Sequence, residues 1–188
     1  MVELFNVKGN DSTGVIDNAS GVVAAHVLLK SLSEKPLQNT RVLIIATGAE
    51  EMGDFGTHWF MEKNEFHLIP ESTQFLVLDS FGVDPSAGQN VILMGEGLPK
   101  LHYSKELEPI AKKLLQEKTY PLKIQWIPPG LQIQTDLVPV IRAGFQGLTI
   151  ATTCFKFHST ADNWNLFNEE TFRNIIRYIE NLIRFYDK

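Results

Sequence analysis

The sequence predicts an α/β domain with a mixed, mostly parallel central sheet and helices on both faces, and three observations carry that prediction. Two short continuous apolar runs rich in branched residues, 42–46 (VLIIA) and 75–78 (FLVL), have the composition of strands buried on both faces and central in a sheet. Stretches with apolar residues every three or four positions stand between and beyond them. The two patterns alternate along the chain, as they do where helices cover both faces of a sheet.

In chain order, Val22, Ala25, Leu29 and Leu32 follow an Asp-Asn start and predict an amphipathic helix over about 18–33, with Pro36 closing the region. The first strand, 42–46, is followed by a helix over 53–63 and the second strand, 75–78. Residues 104–118 predict a helix with Pro109 in its first turn or at a kink. Shorter strands are expected at 91–94, 123–127 and 147–151. Asn168 can cap a final helix with Glu169 and Glu170 in its first turn and an apolar face of Phe172, Ile175, Ile176, Ile179, Leu182, Ile183 and Tyr186.

With 188 residues, 44% apolar and 21% charged, the chain has the size of one domain and the composition of a packed core, which excludes disorder and fibrous repeats. A net charge of −5 without a basic stripe argues against a nucleic-acid partner. Cys154 is the single cysteine, so neither an intrachain disulfide nor a thiolate metal cluster can form. The longest apolar runs fall short of the roughly 18 residues of a membrane span, so no membrane partner is expected. The opening MVELFNVKGND has no signal-peptide pattern, so the expected location is cytoplasmic by default, or extracellular if an upstream segment is missing.

Ligands of open α/β sheets bind beyond the carboxyl ends of the strands. There the sequence places Glu50-Glu51 after VLIIATGA, Asp79 after FLVL and His158 after LTIATTC, with Asp17 in the turn between Gly14 and Gly21. Singly, each has an ordinary reading: Asp17 or Asn18 as a helix cap, Glu50-Glu51 as a solvated helix start, Asp79 as a turn residue, His158 as a loop histidine. Together on one sheet edge they form a carboxylate and imidazole set suited to Zn²⁺, which takes three protein ligands and leaves one position open.

The ordered motifs Asp17-Asn18-Ala19-Ser20-Gly21, Ala49-Glu50-Glu51 with Gly53 and Gly56, Leu78-Asp79, Thr135-Asp136 followed by Ala143-Gly144, and His158-Ser159-Thr160-Ala161-Asp162 resemble those of the M28 aminopeptidase family of zinc metallopeptidases. The resemblance runs from about residue 14 to the last helix. It implies a zinc-peptidase-like fold and hydrolysis of N-terminal residues from peptide substrates. It also implies a bridging aspartate at Asp17, a general base at Glu50, a ligand carboxylate at Glu51, a second-metal aspartate at Asp79 and a histidine ligand at His158. Adjacent Glu50 and Glu51 point in different directions, so one can hold a metal while the other takes a proton from water and returns it to the leaving amine.

The sequence departs from the family in one respect. Members carry a further histidine, in a His-x-Asp setting upstream of the DNASG motif, as second-metal ligand. Residues 1–16 contain no histidine, and Phe5-Asn6-Val7 stands where the triplet would fall. The expectation is therefore a single catalytic domain over 1–188 that lacks the usual N-terminal strands. One zinc site is complete in Asp17, Glu51 and His158; the second is left with Asp17 and Asp79. An open sheet edge would invite homo-oligomer formation. His26, His67 and His102 are read as structural or exposed, His58 as a surface helix position, and Cys154 as a small core residue or pocket wall. Trp126, Trp164 and Phe157 wall a substrate pocket or pack ordinarily. Two rivals accompany the aminopeptidase reading: a single-zinc acyltransferase resembling glutaminyl cyclase, and a non-catalytic interaction domain that lost its metals. Metal counts of two, one and none separate the three.

Overall fold

The computed structural model describes residues 13–63, 66–93, 104–117, 122, 124–127 and 135–187. Strand β1 (Gln74–Asp79) forms because Phe75 and Val77 point to one side of the sheet and Leu76 and Leu78 to the other, so both faces are apolar. It pairs in parallel with β4 (Gln146–Thr153), in a register that sets Asp79 beside Ala151. β4 pairs antiparallel with β2 (Gln89–Leu93), which pairs in parallel with β3 (Ile124–Ile127), giving the order β1-β4-β2-β3. The mixed, mostly parallel sheet is therefore present. Because β1 and β4 run the same way, their carboxyl ends meet at one edge.

Helices α1 (Gly21–Glu34), α3 (Leu107–Gln116) and α5 (Glu169–Tyr186) cover the face made by Leu76, Leu78, Leu148 and Ile150. Helices α2 (Phe55–Lys63) and α4 (Leu137–Arg142) cover the other, with Phe60, Leu137, Val140 and Phe145 against Phe75 and Val77. In α5 Phe172, Ile175, Ile176, Ile179 and Leu182 of the anticipated face are buried and Ile183 and Tyr186 half-buried, and full burial of an aliphatic or aromatic side chain stabilises by about 1.5–3 kcal/mol. Asn168 caps it, its side chain accepting from Thr171 N at 2.8 Å. Tyr178, not foreseen on that face, is fully buried, and its hydroxyl donates to Ala111 O at 3.0 Å. Pro109 lies in the first turn of α3.

Two expectations need correction, and one helix was not foreseen. Residues 42–46 do not form a buried central strand: among the described residues no strand pairs with them, and Leu43 and Ile44 stand at the surface. They face β1 across a cavity of about 680 Å³, so their apolar run is chain without a ladder. In α1 the buried face is Ala24, Ala25, Leu28 and Leu32, while Leu29 is exposed, because the spacing 21, 25, 28, 32 defines the buried stripe and Leu29 lies one position, about 100°, round the helix from Leu28. Helix α4 was not anticipated; its six residues give too short a pattern for periodicity to register. The stretch Val15–Glu34 is long and apolar enough to cross a membrane by length and composition, yet half of it is buried here, as in a core helix.

Candidate active site

Four residues of DNASG, Asp17, Asn18, Ser20 and Gly21, have separate tasks. Gly14, in the left-handed region at φ 55°, opens a wide turn over Val15–Ser20 in which Asp17 and Asn18 leave helical geometry. Asn18 is buried and acts as a staple: its Nδ2 donates to Leu78 O at 3.0 Å, and its Oδ1 accepts from Gly21 N at 2.9 Å and Ser80 N at 3.1 Å. Ser20 Oγ donates to Ile16 O at 2.7 Å and accepts from Phe81 N at 2.8 Å. Gly21 is needed because a Cβ there would lie 2.8 Å from Leu78 O and press on Asn18 Oδ1. The start of α1 is thereby fastened to the end of β1, and Asp17 is held beside Asp79.

The loop between Thr47 and Thr57 carries Glu50 and Glu51. Gly53 N and Asp54 N donate to Glu50 O at 2.8 and 2.9 Å, Phe55 N to Ala49 O at 3.2 Å and Gly56 N to Gly48 O at 3.0 Å. The glutamates therefore sit in a closed loop, not at the helix start, which is Phe55. At the loop's base, buried Asp136 accepts from Thr47 Oγ1 at 2.9 Å through one oxygen and from Thr57 Oγ1 through the other. Asp136 precedes α4 but makes no side-chain cap, because both oxygens go to these threonines.

After β4 the chain turns through 155–161, and His158 adopts φ 57°. Of the five non-glycine residues with positive φ among the described residues, four, Ala49, Asp54, Ser80 and His158, lie in the segments around this site. Such geometry costs on the order of 1–3 kcal/mol each, and it gathers where function fixes the backbone. Four residues beyond His158, buried Asp162 accepts from Ile16 N at 2.9 Å and Asp17 N at 3.0 Å.

These loops converge. His158 Nε2 lies 3.0 Å from Asp17 Oδ2 and in contact with Glu51 Oε1. The three donor atoms fall within 4.8 Å of one another. Glu50 and Asp79 share with them a cavity of about 600 Å³, walled also by Cys154 and Phe157. One nitrogen and two carboxylate oxygens gathered this closely make a donor set of the kind zinc takes. His158 is half exposed, which leaves an approach from solvent.

Electrostatics favour the same guest. Burial, then the charge of Glu51, pushes Asp17 up to about 6 against the opposing effect of His158. Burial, then Asp17, pushes Asp79 up to about 7, although the Ser80 hydroxyl donates to its Oδ1 at 2.9 Å. Burial, then Asp79 and Glu51, pushes Glu50 up to about 9. Carboxylates so crowded hold protons unless a cation replaces them, and a bound divalent ion inverts each shift.

Of the other sequence candidates, His26, His58 and His67 are exposed and outside the cavity, and Cys154 is part of its wall. Trp164 is not a wall of this pocket: the turn capped by Asn163 places its indole in a groove between α1 and α5, 72% exposed. His102, the side chain of Trp126 and the stretch 5–7 lie outside the described residues. Asp136 and Asp162 stand in the sequence motifs without a task that the sequence assigns, and nothing in the sequence singles out Ser80. The signal was available for Asp136, an aspartate directly before an apolar run, although it points to a helix cap.

The family model described as peptidase family M28 matches residues 5–183. Among curated protein sequences, none matches significantly. Of solved structures, LapB from Legionella pneumophila is similar at 21% identity and a TM-score of 0.78, over 97% of this chain and 49% of that one. BSAP, a zinc aminopeptidase from Bacillus subtilis, is similar at 17% identity and 0.75, over 97% and 44%. A glutaminyl cyclase from an Acidobacteriales bacterium is similar at 13% and 0.78, over 99% and 67%. At these identities the likeness is one of fold, and the chain spans about half the length of LapB and of BSAP. The motif order, the α/β architecture and a family match over nearly the whole chain agree: this protein belongs to peptidase family M28.

Proposed function

We propose that residues 1–188 act as a single zinc-dependent catalytic domain that hydrolyses N-terminal residues from peptides. The observation that carries this reading is the gathering of Asp17, Glu51 and His158 donor atoms within 4.8 Å at the carboxyl edge of the sheet. In it, those three side chains hold the zinc, with Asp79 facing Asp17 where a second, weaker ion would sit. Bound zinc supplies Lewis acidity, making water a better nucleophile and polarising the scissile carbonyl. Glu50, on the same cavity wall but outside the three-donor group, accepts the water's proton and returns it to the departing amine.

A second reading, a glutaminyl-cyclase-like acyltransferase, draws support from the three-donor set, which suffices for one metal, and from the fold likeness to such an enzyme. Zinc content and turnover of aminoacyl anilides and of glutaminyl peptides decide between them. For the aminopeptidase, Glu50→Gln retains zinc and loses about 10²–10⁴-fold in turnover of the anilide, whereas Glu51→Gln loses zinc. Full activity in Glu50→Gln refutes the base. Pyroglutamate formation with one zinc supports the cyclase, and a metal-free, inactive parent supports an interaction domain.

A further inference from the structure

We propose that Asp162 is a positioning residue of the metal centre, tying the segment that carries Asp17 to the loop that carries His158; the inference rests on the zinc reading above. Its carboxylate is almost wholly buried and uses both oxygens, one on Ile16 N at 2.9 Å and the other on Asp17 N at 3.0 Å. Its carbonyl also accepts from Thr13 Oγ1 at 3.1 Å, a third link to the same segment. On its own side Asp162 is fixed to the His158 turn, for Asp162 N donates to Ser159 O at 3.0 Å and Ser159 Oγ to Lys156 O at 2.6 Å. Two segments distant in sequence are thus joined next to the 3.0 Å approach of His158 Nε2 to Asp17 Oδ2.

The chemistry of the tie explains the residue type. Two amide N–H groups converge on one side chain, and a carboxylate can accept both. An asparagine accepts one and turns its own N–H₂ toward the other donor. The carboxylate is not there for charge balance, because it lies near Asp17 and adds to the repulsion that raises that group. Placing it there makes sense if holding the Asp17 backbone matters more than the added repulsion. Metal centres need ligands held to within about 0.5 Å, and removing partners that orient ligands typically costs about 10–100-fold in metal affinity.

The test is Zn²⁺ affinity, measured by chelator competition on the full chain, for the parent, Asp162→Asn, Asp162→Ala and Asn168→Ala. The last removes the α5 cap, away from the ligand loops, and reports what a loss of stability alone does to affinity. Both Asp162 variants are expected to bind zinc about 10–100-fold more weakly, with turnover restored at saturating zinc and KM unchanged, while Asn168→Ala binds as the parent does. If Asp162→Ala does not fold without metal, the zinc dependence of its folding midpoint supplies the same comparison. Asp162 variants within twofold of the parent, or a loss matched by Asn168→Ala, overturn this inference and leave the zinc reading standing. A parent that binds no zinc overturns both.

Discussion

Asp136 provides the sharpest quantitative test of how the Glu50-Glu51 loop is held. Its two oxygens accept from Thr47 and Thr57, one hydroxyl on each side of the loop, and all three residues are buried. A hydrogen bond to a charged acceptor is worth about 1.5–3 kcal/mol, so Asp136→Ala forfeits about 3–6 kcal/mol as a ceiling. The two bonds share one carboxylate and are not additive, which brings the expected loss to about 3–4 kcal/mol. That is a large share of the roughly 5–15 kcal/mol that holds a typical domain together. At about 2–4 °C per kcal/mol for a chain of this size, the melting temperature should fall by roughly 10 °C. Asp136→Asn should be mild, about 1 kcal/mol, because each hydroxyl can rotate to donate to the amide oxygen or accept from the amide nitrogen.

Thermal and urea unfolding of the zinc-free chain measure both variants. A cycle with Thr47→Val and Thr57→Val completes the test, since removing donors and acceptor together leaves nothing unpaired and should recover part of the loss. A melting shift under 2 °C in Asp136→Ala, or a coupling energy below about 0.5 kcal/mol, refutes the clamp.

Gly21→Ala should destabilise by about 1–3 kcal/mol although alanine is the better helix former by about 1 kcal/mol, because the new Cβ meets Leu78 O and unseats Asn18. Unchanged or raised stability in urea would show that the β1 end and the start of α1 are not fastened as described. The metal-free chain should lose stability as pH rises from about 4 to 9. Asp17, Asp79 and Glu50 are raised to about 6, 7 and 9, so the folded state holds protons that the unfolded state has released, and folding weakens as they leave. Zinc should flatten that decline. A chelated protein whose urea midpoint is flat or rising over this range contradicts the crowding of the carboxylates.

What the sequence revealed and what it concealed divide on physical lines. Strand β1 and helix α5 were legible because their patterns are long or uninterrupted and agree with burial. The strand at 42–46 was misread because local composition records suitability for a sheet, whereas a strand exists only where a partner supplies its hydrogen bonds. Of the facing residues of the site, Asp79 and His158 were legible because they follow apolar runs that are parallel strands ending at one edge, whereas Glu50-Glu51 follow a run that makes no strand and are presented by a loop closed on itself. The network behind them was not. Asp136 reaches Thr47 and Thr57, and Asp162 reaches Ile16 and Asp17, across separations that periodicity does not register.

That network has an electrostatic reason to exist. Asp17, Glu50 and Asp79 are raised first by burial and then by neighbouring carboxylates, Glu51 among them in each case, so without a cation their ionisation opposes folding, and with one the same repulsion is relieved by binding. A site of this kind gains affinity only if its ligands cannot relax apart when empty. Amide and hydroxyl donors from Asn18 and Ser80 hold the Asp17 and Asp79 ends together without adding charge. Asp136 and Asp162 do add charge, but each uses it on two donors on the far side of a ligand loop. Their share in raising Glu50 and Asp17 accordingly ranks below burial and below the carboxylates that face the cavity. Restraint against repulsion, as much as the three donor atoms, is what would make the edge of this sheet a metal centre.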